Sequence, residues 1–82
     1  MAKALCIHDI KGVSEDLIRE TLRKSEEITD PKLVDAFYNT DKGEAFFEWE
    51  TSNVDKVMQA HEPLGLGMCR ELLPVTEVQK IK

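Results

Sequence analysis

The sequence predicts one small α+β domain with the element order βαββαβ. Three observations carry this. Four short apolar runs with strand-like alternation are spread along the chain. Two longer stretches repeat apolar positions at helical spacing, each behind a capping residue. The breaks between them fall at Asp30-Pro31, at Asn39 to Gly43 and at Pro63, Gly65 and Gly67. Eighty-two residues make a single domain, 1–82.

The first apolar run, Ala4 to Ile7, is short and ends in His8-Asp9, so it reads as a strand. Strand side chains alternate between faces: Leu5 and Ile7 share one, Ala4, Cys6 and His8 the other. Ser14 is a good N-cap, and Glu15 and Asp16 suit the positive end of a helix. Leu17, Ile18, Thr21, Leu22 and Ser25 then follow one helical face. Asp30-Pro31 ends that helix, because proline disfavours the helical region in the residue before it. Leu33 to Tyr38 is the second strand. Asn39-Thr40-Asp41-Lys42-Gly43 signals a hairpin with a glycine for a left-handed position. Ala45 to Glu50 is the third strand, with Ala45, Phe47 and Trp49 on one side and Phe46, Glu48 and Glu50 on the other. Ser52 is the expected cap of the second helix, where Val54, Val57, Met58 and His61 fall at i, i+3, i+4 and i+7. Leu72 to Val78 is the fourth strand, and Pro74 marks it as an edge or a bulge.

This order is that of the ferredoxin-like fold: a four-stranded antiparallel sheet, both helices on one face, and strands one and three as central neighbours. The other sheet face is left open. A chain this short buries only about 60% of its unfolded surface, so pairing of two open faces, as in a dimeric α/β barrel, is the expected way to bury more.

Composition narrows function. The apolar fraction is 41% and the charged fraction 33%, which are globular values. The formal net charge of −5 disfavours a phosphate backbone as partner. No apolar run suits a signal peptide or a spanning helix, which predicts a cytoplasmic protein with Cys6 and Cys69 reduced and no membrane partner.

Leu5, Ile7, Ala45, Phe47 and Trp49 are the more apolar side of their strands and are expected under the helices. The open face then receives Cys6 and His8 from strand one, and Phe46, Glu48 and Glu50 from strand three. Imidazole, thiol and carboxylate on adjacent strands can share a transition metal. The competing reading is a polar His8–Glu48 contact at a dimer rim, with Cys6 as a small hydrophobe. His61 reads either as a helix-end histidine bonded to a backbone carbonyl or as a ligand or proton carrier. With His8 pointing away from the helices, one chain does not easily bring the two histidines together.

Lys42-Gly43-Glu44-Ala45-Phe46-Phe47-Glu48-Trp49 resembles the RNP1 element of RNA-recognition motif domains, which share this topology. The stacking positions hold Glu44 and Cys6 rather than aromatic rings, so the likeness is one of fold geometry and no nucleic-acid partner is expected.

A second likeness runs along almost the whole chain. It includes His8 at the end of strand one, Gly12-Val13-Ser14-Glu15-Asp16 before helix one, Glu50 closing strand three, Ala60-His61 with Gly65 after it, and Val75-Thr76-Glu77-Val78. In this the chain resembles a family of small prokaryotic ferredoxin-like proteins, some described as nickel-binding. It departs from that family in carrying Leu22 in place of a helix-one histidine and Phe47 or a neighbour in place of a strand-three cysteine. The resemblance implies a homodimer formed through the open sheet faces and a divalent transition metal (nickel, or zinc or copper). The expected ligands are His8, His61 and Glu48, with Cys6 as a soft donor. The alternative is a cofactor-independent dimeric α/β-barrel enzyme, an isomerase or monooxygenase, with His8 as general base and Phe46 and Phe37 lining a pocket.

Overall fold

The computed structural model describes residues 2–61 and 69–78. Its elements are β1 (Ala2–Asp9), α1 (Glu15–Glu26), β2 (Lys32–Asn39), β3 (Glu44–Thr51), α2 (Asp55–His61) and β4 (Glu71–Val75). This is an α+β fold with the order βαββαβ. All strand pairs are antiparallel, in the sheet order β2-β3-β1-β4. β1 and β3 are the central pair, and Pro74 lies on an edge strand, where its missing N–H costs no interior ladder bond. β4 stops at Val75, short of the expected Val78. The helix stop expected at Pro63, Gly65 and Gly67 lies outside the described residues.

Local chemistry sets the elements. The Ser14 hydroxyl accepts from the Leu17 N–H at 3.2 Å and caps α1. Ile18, Thr21 and Ser25 are its buried residues, whereas Leu17 is exposed. The Thr21 and Ser25 hydroxyls are satisfied within the helix. They donate to the carbonyls of Leu17 and Thr21 at 2.8 and 2.7 Å, so small polar side chains face the sheet without loss. In the β2–β3 hairpin, Gly43 takes φ +70° and its N–H donates to the Asn39 carbonyl at 2.9 Å.

The expected role of Ser52 changes. Its hydroxyl donates to Asp30 at 2.6 Å, and Asn53 instead accepts from the Asp55 N–H at 3.0 Å at the start of α2. Asp30 also accepts from Thr51 at 2.8 Å and from Lys56 at 3.2 Å. One carboxylate thereby ties the α1–β2 connection to the β3–α2 connection. The Ser52 hydroxyl, then that of Thr51, hold the Asp30 carboxyl well below its ordinary value of 3.8. A depressed folded-state value means that this stabilisation is complete above the unfolded-chain value and is lost as pH falls through the folded one. Stability is therefore expected to hold down to about pH 4 for this group and to decline below it. Asp30→Asn should flatten that acid limb in urea denaturation at stepped pH. An unchanged limb would show that the clamp contributes nothing.

The core lies between the sheet and the helices. Ala4, Cys6, Ala45, Phe47 and Trp49 from β1 and β3 form one cluster with Ile18 of α1 and Val57 of α2. The β1–β3 register explains the choice. Ala4 faces Trp49, Cys6 faces Phe47 and His8 faces Ala45. Small residues on β1 meet large rings on β3, and the larger imidazole meets alanine, so the layer fills evenly.

That register overturns the expected facing of β1. Ala4, Cys6 and His8 point under the helices, with Cys6 0% and His8 1% exposed. Leu5 and Ile7 take the open face, opposite Glu48 and Phe46. A one-residue change of register exchanges the two faces of a strand.

Candidate metal centre

The structure separates Glu48 from Cys6 and His8. Cys6 and His8 lie on the covered face of β1. Glu48 lies on the open face, opposite Leu5 and beside Asp35. There Lys3 donates to it at 3.2 Å, and Lys3 is also within 3.5 Å of Glu50 and 3.6 Å of Glu77. The Glu48 hydrogen bond is the first cause that raises the Lys3 pKa above its ordinary value. Glu48 is thus engaged by an ammonium on the far side of the sheet from His8, and an open-face centre of Cys6, His8 and Glu48 does not form. His61 closes α2; its side chain lies outside the described residues. α2 packs on the face that carries His8, so the sheet no longer stands between the two histidines. Among the described residues, no three His, Cys, Asp or Glu side chains group closely enough to hold a metal ion.

The covered face holds a different set of donors. The His8 ring lies 5.2 Å from the Phe47 ring, tilted by 54°. Two residues back on the same face, Cys6 is hydrogen-bonded to Cys69. Burial first, and then that hydrogen bond, push the Cys6 thiol well above its ordinary value. Cys69 in turn lies 3.5 Å, sulfur to sulfur, from Met58 of α2. Sequence reasoning passed over Cys69 and Met58. The first stands outside any strand, beside a glycine-rich stretch, and the second sits on an apolar helical stripe where packing is the ordinary role.

Arg70 positions Cys69. Its N–H donates to the Ile7 carbonyl at 2.7 Å. Its guanidinium bridges Asp9 at 2.6 Å and Glu44 at 3.0 Å. The residue ahead of β4 is therefore fixed to the ends of β1 and β3.

The open face is amphipathic by rows. Glu71, Ile7, Phe46 and Phe37 line up across the four strands, followed by Leu73, Leu5, Glu48 and Asp35, then Val75, Lys3, Glu50 and Lys32. Phe37 is 60% exposed, and Leu73 and Val75 are also exposed. The apolar side chains gather at one end and along the β4 edge, and the charges occupy the rest. The enzyme alternative placed His8 beside Phe46 and Phe37. The sheet separates them, and the cleft of about 430 Å³ among the described residues is lined instead by Ala2, Lys3, Val54, Pro74, Val75, Thr76 and Glu77. No helix among the described residues is long and apolar enough to cross a membrane. Comparison with protein-family models, with curated proteins and with solved structures gives no match to this chain.

Proposed function

We propose that this chain is a ferredoxin-like protein that works as a homodimer and holds a transition metal between its sheet and its helices. The observation that carries this reading is the facing of β1. Cys6 and His8 lie on the covered face, the same side as α2 with His61 at its end. The donor types suit nickel, zinc or copper. Glu48 leaves the ligand set, because the sheet stands between it and the other donors. Cys69 takes its place as the neighbour of Cys6.

The division of labour between the two faces supports the dimer. With the chemistry under the helices, the open face is left to the apolar end around Ile7, Phe46 and Phe37. An exposed apolar patch with a charged border is what a protein interface presents.

Calorimetric titration of the metal-free protein tests the metal reading. Nickel, zinc or copper is expected to bind, with His8→Ala reducing the affinity. The reading fails if none binds more tightly than about 10 µM, ~7 kcal/mol.

A further inference from the structure

Sulfur atoms from β1, from α2 and from the segment just ahead of β4 lie in one core cluster. Cys69 Sγ lies 3.5 Å from Met58 Sδ, and Cys69 shares a hydrogen bond with Cys6. β1, α2 and the residue two before β4 therefore each contribute one soft donor to the same core cluster. Two of the three are held firmly. β1 is paired on both sides at Cys6, with Phe47 and with Leu72, and Arg70 fixes the backbone beside Cys69. The third, Met58, is half-buried on a flexible thioether chain. Cys69 is 9% exposed, so the group reaches the edge of the core rather than lying sealed within it.

We propose that Cys6, Cys69 and Met58 form a three-coordinate site for monovalent copper. The inference rests on the reading that the covered face of β1 binds metal, and it names the donors and the oxidation state. Two thiolates and a thioether are a soft set that selects copper(I). Divalent zinc asks for four ligands, one more than these three sulfurs supply. The Cys69–Met58 spacing also fits. Metal–sulfur bonds of about 2.3 Å place three sulfurs of a trigonal site roughly 4 Å apart. The observed 3.5 Å between Cys69 and Met58 needs a spread of about half an ångström, which the unbranched methionine side chain allows. Binding displaces one proton from each cysteine to solvent as two copper–sulfur bonds form. The thioether adds a third bond without losing a proton, and no electron is transferred. The resulting centre carries one net negative charge.

The test loads the reduced full-length protein anaerobically with copper(I) and challenges it with bathocuproine disulfonate, a coloured copper(I) chelator. One copper per chain is expected to be retained, with only sulfur neighbours in X-ray absorption. Cys69→Ser, a change at the core edge, should surrender the copper. Met58→Leu preserves volume and should weaken retention while leaving the thermal midpoint unchanged. Equal retention by Cys69→Ser, or nitrogen and oxygen neighbours alone, overturns the proposal. Nickel or zinc titrations run in parallel separate the two levels of the argument. If either binds in a His8-dependent way while wild type gives up copper(I), this inference falls and the metal reading stands. If no metal is held at all, both fall.

Discussion

Trp49→Ala is expected to remove about 3–5 kcal/mol of stability. Trp49 is fully buried in the middle of the sheet, and its ring centre lies 6.3 Å from that of Phe47. Its neighbours across the ladder are Ala4 on β1 and Leu33 on β2. The methyl group of Ala4 on the central strand is too small to fill the space, so the cavity would stay open. Small domains are stable by roughly 5–15 kcal/mol in total, and a loss of this size takes much of that margin. In thermal denaturation it should lower the midpoint by roughly 12–40 °C, taking about 4–8 °C per kcal/mol for a domain of this length. A shift of only a few degrees would mean that the small-on-large pairing of β1 with β3 is not what fills the core.

Phe46→Asp is expected to dissociate the dimer while leaving the protomer folded. Phe46 sits in the apolar row Glu71, Ile7, Phe46, Phe37 on the face away from the helices. Within one protomer that face is solvated, so a carboxylate there adds little strain. Between two sheets the same carboxylate would be buried beside Ile7 and Phe37 with no cation in the row. Burying an unpaired charge costs several kcal/mol. At about 4 kcal/mol the dissociation constant rises roughly a thousandfold. Sedimentation velocity at micromolar concentration should show the variant as a monomer with unchanged far-ultraviolet circular dichroism. A variant that sediments like wild type would remove the open face as the dimer surface.

The element order was legible because each boundary has its own local chemistry. Ser14 caps α1, Gly43 turns the hairpin, and Pro74 fits only an edge strand. The alternation of β3 was legible too, because Ala45, Phe47 and Trp49 contrast clearly with Glu48 and Glu50. The facing of β1 was not. Leu5 and Ile7 are more hydrophobic than Ala4, Cys6 and His8, and hydrophobicity alone puts them inside. The deciding quantity is volume, set by what stands opposite on β3, and that depends on a register no local pattern contains. Trp49 and Phe47 were the available signal, since two large rings on one strand ask for small partners on the next. The candidate site failed to emerge from sequence for the same reason. Once β1 is turned over, Cys6 leaves Glu48 and meets Cys69, which in turn touches Met58.

A single measurement bears on both faces at once. Native mass spectrometry of the protein incubated with transition metal reports chain number and bound ions together. The account predicts the mass of two chains carrying metal, and metal-bearing single chains for Phe46→Asp. Wild-type protein found only as metal-free single chains would contradict it.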